Sequence, residues 1–322
     1  MDAIRDSVAS LSRQMKARTD DLFHLENTEL WDFLQRLGRR QKIQTADRKQ
    51  LNAVKAAGGL YCVDASYRRF GGAAPHYIEL YQGLGLSSAD AENTVRKTAA
   101  HSPLLHDTPQ TDFSFAESRS KEAEARLAAI EIETAKELVE KTRGYALVMD
   151  GSLIRFQILV PKPWEELQSL CRKKHIPIIG VIEDIKTHSL GQALAAAGKT
   201  KYTHYDREIL AGRLAKGEIY IPNKEISGKA ERGLSTLFAR FSTEPRVIGV
   251  DMDGEAEAEL LFLTQVLYAI TPVHGRGIPY LLDIVDKKAR LEDARSAEMM
   301  KHSVDPDVWE AYFISNRDRR KL

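Results

Sequence analysis

Two aspartates sit where a carboxylate could do chemistry. Asp64 ends the apolar run Leu60–Val63, and Asp150 ends the apolar run Ala146–Met149. Each is followed by a small residue and a serine, in Asp64-Ala65-Ser66 and Asp150-Gly151-Ser152. Short apolar runs bounded by turn residues read as buried strands. If these two strands are neighbours, both carboxylates lie on one edge of the sheet. Like charges that close are unfavourable unless a cation sits between them, and Mg²⁺ and Mn²⁺ prefer the oxygen ligands that paired aspartates offer. A plainer role competes: an aspartate before Gly or Ser also makes turns and caps helices.

A third acid lies between them. Residues 120–142 read as a helix whose apolar stripe holds Leu127, Thr134 and Leu138, and Glu131 falls on that stripe. Glu133, Glu137 and Glu140 point elsewhere. A carboxylate facing a sheet needs a partner or a metal, unless its long side chain reaches water at the stripe's edge. Asp64, Glu131 and Asp150 together form a carboxylate cluster of the kind that holds divalent ions for phosphodiester hydrolysis. Asp251 and Asp253 offer a second strand-end pair, read here as a turn and helix start before Glu255. Asp206 reads as the N-cap of a helix from Arg207, and His188 and His204 as unremarkable.

The elements that would position these residues follow a mixed order. Leu22, Leu25, Leu30, Phe33, Leu34 and Leu37 recur at roughly helical spacing, so residues 1–56 are expected to be a helical extension. Its basic end (Arg36, Arg39, Arg40, Lys42, Arg48, Lys49) reads as a solvated face, with a DNA or partner contact as the functional reading. Strand signals follow at 60–64, 77–81 and 84–86, a polar loop at 101–120, then the helix, a buried strand at 145–149, a helix at 164–174 and a continuous apolar run at 176–182. Further strands are expected at 218–221, 237–241 and 247–250, with helices at 190–197, 207–215, 255–270 and 279–291. This is an α/β pattern whose sheet is partly antiparallel. Residues 296–322 read as a polar tail carrying Trp309, Tyr312 and Phe313 and ending in Arg317, Arg319, Arg320 and Lys321.

Composition narrows the classes. The 322 residues carry a formal charge of +1, so any nucleic-acid contact must come from local basic patches. Cys62 and Cys171, far apart and each in or beside an apolar run, suggest buried packing groups in a reducing compartment. No apolar run approaches the roughly 20 residues that span a bilayer, and the first residues lack the apolar core of a signal peptide. A cytoplasmic protein without membrane association is expected. Neither GxxxxGK[ST] nor GxGxxG occurs, so ATP hydrolysis by this chain is not expected.

The ordered motifs resemble the NurA family of DNA repair nucleases. The likeness runs through Val63-Asp64-Ala65-Ser66, the inward Glu131 and Leu147-Val148-Met149-Asp150-Gly151-Ser152-Leu153. It continues with Ile179–Lys186, Tyr205–Leu210 and the segment Gly277–Asp286, and covers roughly residues 58–292. The resemblance implies an RNase H-like (Piwi-like) mixed sheet flanked by helices, with a nuclease domain over 57–295. It implies a Mn²⁺-dependent DNA nuclease (Mg²⁺ being the other candidate ion) with 5′–3′ exonuclease and endonuclease activity, acting in end resection and double-strand break repair. It also implies a homodimer and a HerA-type hexameric ATPase as partner. By position, Asp64, Glu131 and Asp150 would hold metal. Asp286 would complete the site where the family often has a histidine or an acid, with Asp283, one turn earlier, open as the other choice. Lys186 would touch a DNA phosphate, against a plain surface lysine. A catalytically inactive scaffold that regulates a DNA-translocating ATPase is the alternative function.

Overall fold

The computed structural model describes residues 2–72, 75–90, 92–105 and 115–313. The polar stretch is therefore described only at its two ends, and the basic residues Arg317–Lys321 lie outside the described residues. The first elements are α1 (Asp2–Phe23), α2 (Asn27–Leu37), β1 (Gly38–Lys42), α3 (Arg48–Ala56), β2 (Leu60–Gly71), β3 (Tyr77–Ser87) and β4 (Thr94–His101). There follow α4 (Phe115–Lys141), β5 (Ala146–Asp150), α5 (Ile154–Leu159), α6 (Pro161–Lys173), β6 (Ile178–Ile182), α7 (Ser189–Ala196) and α8 (Asp206–Leu210). Next come β7 (Glu218–Pro222), β8 (Leu234–Arg240), β9 (Ile248–Asp253), α9 (Glu257–Ala269), α10 (Tyr280–Ala289) and α11 (Asp293–Ser303), followed by short helical turns up to Phe313. The expected mixed α/β architecture is what the structure has.

The chain divides into two compact units. One comprises Met1–Arg48 and Ile179–Tyr280. Its strands run in the order β1-β7-β8-β9-β6, every neighbouring pair antiparallel. Leu22, Leu30, Trp31 and Leu34 from the N-terminal helices and Leu25 between them pack with Leu190, Leu194, Ile209 and Tyr220 in one buried cluster. The helical reading of residues 1–56 fails at β1, where a basic run forms a strand on the edge of this unit's sheet. The backbone of Arg39 and Arg40 pairs with Ile221 and Tyr220. Their side chains are spent locally: Arg39 pairs with Glu257, and the Arg40 guanidinium lies 4.2 Å from the Trp31 ring centre.

The other unit comprises Lys49–Ile178 and Leu281–Leu322. Here β2, β3 and β4 are antiparallel in sequence, and β5 lies parallel to β2 on its other side. The RNase H-like expectation, an antiparallel early part followed by a helix and a parallel strand, holds in this unit. β2 runs past the sequence signal to Gly71 because its second half alternates half-exposed and exposed positions rather than forming an apolar run, and β3 joins the signals at 77–81 and 84–86 into one strand. β4, read as no element from the sequence, is polar and mostly exposed. α4 begins at Phe115, within the stretch expected to be loop. It lies so close to β3 that a Cβ at Gly83 would fall 2.3 Å from Thr134 Oγ1. Ile132, Ala135, Leu138 and Val139 along it have no exposure, and each fully buried Ile, Leu or Val side chain contributes about 1.5–3 kcal/mol. The described part of the expected tail packs on its own unit. α11 is helical, Phe313 is buried near Gly71, and the Tyr312 and His76 rings stack at 5.5 Å. Both cysteines are buried and free, as expected.

Candidate metal centre

The parallel register of β2 and β5 sets the site. Leu60 is opposite Ala146 and Val63 opposite Met149, so Asp64 and Asp150 occupy the next position on each strand. Residues at matching positions of neighbouring strands point to the same face, with backbones about 4.8 Å apart. Gly151 then turns the chain with φ +81°, a left-handed value that a side chain opposes. Glu131 on α4 faces the same region and is only 1 % exposed.

The acids act on one another. Burial raises the Asp64 carboxyl to about 7, with the charges of Asp150 and Asp286 adding to the shift. Burial likewise raises Glu131 to about 8, against the opposing pull of Arg155 and with Asp64 and Asp150 pushing upward. Asp286, on α10, is thus within electrostatic reach of Asp64. Its own carboxylate is held by Arg290 at 2.6 and 3.1 Å. The sequence reading leaves Asp286 and Asp283 open, and Asp286 is one acid whose charge bears on Asp64.

The serine after Asp64 has a structural task. Ser66 Oγ donates to the Ala289 carbonyl at 2.5 Å, and Gln82 Nε2 donates to the same oxygen at 2.9 Å. These bonds satisfy the end of α10 and fix Asp286, one turn earlier, near β2.

Sequence reasoning missed Arg155. Its guanidinium donates to Glu131 Oε2 and, at 2.9 Å, to the Asp150 carbonyl. It stands five residues after Asp150, but its partner Glu131 is 24 residues earlier, and no local signal links them. Among the described residues, no three acidic, histidine or cysteine side chains converge as a ready ion cage. The donor chemistry nevertheless fits a hard divalent cation: oxygens only, buried, mutually repelling, and with two of four carboxylates held by arginines. Asp64 within β2 and Asp150 at the end of β5 are neighbours across the sheet, and the charges of Glu131 and Asp286 couple to them.

The remaining candidates belong to the first unit. Lys186 is an exposed residue of the first unit, just after β6. Asp206 does not cap the helix it begins: its carboxylate accepts the Leu190 N–H at 2.8 Å, in the first turn of α7. The backbone of Tyr205 is instead met by Glu208 at 2.8 Å. Asp251 is no turn residue either. It is fully buried within β9, where Lys229 Nζ donates to it at 2.7 and 2.9 Å and Thr236 Oγ1 at 2.8 Å. An acid in mid-strand looks like a turn signal when its buried lysine lies 22 residues away.

The NurA domain model matches residues 32–291. The chain belongs to the NurA family. That membership supports a nuclease, the coarse form of the sequence expectation, and its span takes in all four acids and Arg155. No curated protein matches the sequence. Among solved structures, the chain is similar to the catalytic domain of human Endonuclease V, with 14 % identity, TM-score 0.41, and 86 % of this chain and 94 % of that one covered. It is similar to Endonuclease V from Bacillus subtilis, with 12 % identity, TM-score 0.41, and 85 % and 91 % covered. It is also similar to Drosophila Piwi, with 9 % identity, TM-score 0.36, and 74 % and 32 % covered. No described helix is long and apolar enough to cross a membrane.

Proposed function

We propose that this NurA-family chain is a divalent-cation-dependent DNA nuclease. The observation that carries the reading is the pair Asp64 and Asp150 at adjacent positions of the parallel strands β2 and β5, one residue past the Val63–Met149 pair, with Glu131 buried on α4. Asp64 and Asp150 would hold the ion, and Glu131 and Asp286 would complete its shell. When bound, the cation supplies Lewis acidity for adding water across a phosphodiester bond. The protein's own part is to hold the carboxylates in place: β2 and β5 fix two of them, α4 the third, and the Ser66–Gln82 clasp on α10 the fourth. Burial excludes bulk water, which strengthens every charge interaction inside the site.

The finer reading rests on family membership. The ion is Mn²⁺, with Mg²⁺ as the substitute, and the activity is a 5′–3′ exonuclease with endonuclease cleavage. The chain works in DNA end resection for double-strand break repair with a HerA-type hexameric ATPase, in the cytoplasm. Residues 57–295 form the nuclease domain, 1–56 an extension and 296–322 a tail, and Lys186 touches a DNA phosphate. We also propose a homodimer. Ile4, Val8, Leu11 and Met15 follow a 4-3-4 spacing along α1, and each is more than half exposed. Two copies joined along that stripe would bury on the order of 1,000 Å², at the low end of specific interfaces.

The test is degradation of end-labelled linear DNA by the full chain with Mn²⁺, Mg²⁺ or EDTA, alone and with a HerA-type ATPase. Cleavage with Mn²⁺ that EDTA abolishes is expected. A folded protein that cleaves nothing under any of these conditions contradicts the nuclease and leaves the inactive scaffold.

A further inference from the structure

Arg155 is the basic group built into this acidic site, where its guanidinium also lies 4.4 Å from the Phe156 ring centre. It lies in the first turn of α5, where the helix dipole disfavours a cation. Its Nη2 is committed to Glu131 Oε2 and the Asp150 carbonyl, while its buried Nε–H has no acceptor. A buried donor without an acceptor is a cost that a position serving packing alone has no reason to carry.

We propose that Arg155 is the internal counter-charge of the carboxylate cluster, competing with the divalent cation for Glu131 and so setting the affinity of the site. The inference rests on the metal-dependent reading above. The charges show why such a residue is useful. Asp64, Glu131, Asp150 and Asp286 face one region, and Arg155 and Arg290 hold one acid each. Without an ion, the guanidinium keeps the buried Glu131 paired and the cluster together. With an ion present, the same guanidinium repels it and withholds one ligand, so that Glu131 joins the shell only when Arg155 lets go. Arg155 is therefore a positioning residue: it acts through Glu131.

A purely structural arginine would give the opposite sign. Its loss would misplace Glu131 and weaken ion binding, whereas loss of a competitor strengthens it. Isothermal titration of Mn²⁺ into the full chain without DNA separates the two. Arg155→Gln is expected to bind Mn²⁺ about tenfold more tightly than wild type, while its melting temperature without the ion falls. Arg155→Lys, which keeps the charge but loses the fork that reaches both Glu131 and Asp150, is expected between the two, and it takes over the measurement if Arg155→Gln does not fold without the ion. Wild-type or weaker affinity in a folded variant overturns the competition while leaving the metal site standing. Absence of Mn²⁺ binding by wild type and both variants overturns the metal-dependent reading, and this inference with it.

Discussion

At Asp64 the interactions that would serve catalysis work against stability. The carboxyl is 7 % exposed and faces Asp150 and Asp286, so its charged form is opposed by burial first and by like charge second. Replacing it with asparagine removes that charge at nearly constant volume. Without divalent ions at pH 8, Asp64→Asn is expected to unfold at an equal or higher denaturant concentration than wild type, with a gain of about 1 kcal/mol. Added Mn²⁺ should reverse the order by stabilising only the wild type. A variant less stable than wild type in the absence of ions would mean that Asp64 is a structural group. This residue and Asp150 were legible because a charged side chain ended an apolar run. Arg155 was not, because its role depends on a helix that the fold brings alongside.

Elements were legible where burial writes a pattern into the sequence. β5 and β6 are continuous apolar runs because they are almost wholly buried, and α4 shows its stripe. β1 and β4 were missed because each is an edge strand of its own unit's sheet, with most side chains in solvent. Backbone pairing holds them, and backbone pairing leaves no side-chain signature. The docking of α1 was equally hidden. Asp21, in its last turn, accepts the backbone N–H groups of Lys201 and Tyr202 at 3.0 and 3.1 Å, and His204 Nε2 lies 3.1 Å away. Burial alone would raise the Asp21 carboxyl, but these bonds outweigh it and hold it below the usual value. A carboxyl lowered by folding contributes stability above its unfolded value of 3.8, and that contribution is lost as pH falls through the lower folded value. Chemical denaturation at a series of pH values is therefore expected to show wild type losing stability below about pH 4. Asp21→Ala, weaker by about 1–3 kcal/mol at pH 7, should lose less over the same interval. Parallel curves would show that Asp21 does not anchor α1.

At the scale of the molecule, a net charge of +1 and a family match over residues 32–291 leave association to local surfaces. The stripe Ile4, Val8, Leu11 and Met15 is the apolar face that α1 does not bury against its own chain. Its periodicity was present in the sequence, but exposure was not, since a buried helix carries the same spacing. Val8→Glu with Leu11→Glu is expected to convert a dimer to a monomer in light scattering at micromolar concentration, with the melting temperature changed by no more than a few degrees because both positions are exposed. A wild type already monomeric at that concentration would contradict the dimer. The central claim is narrower: Asp64 and Asp150 together hold the ion that makes this chain a nuclease. Cleavage of end-labelled linear DNA with saturating Mn²⁺ by wild type, Asp64→Asn and Asp150→Asn tests it most directly. The expected result is that both folded variants lose at least about 100-fold in rate, as loss of a catalytic metal ligand should cause, whereas wild-type rates in either folded variant would contradict it.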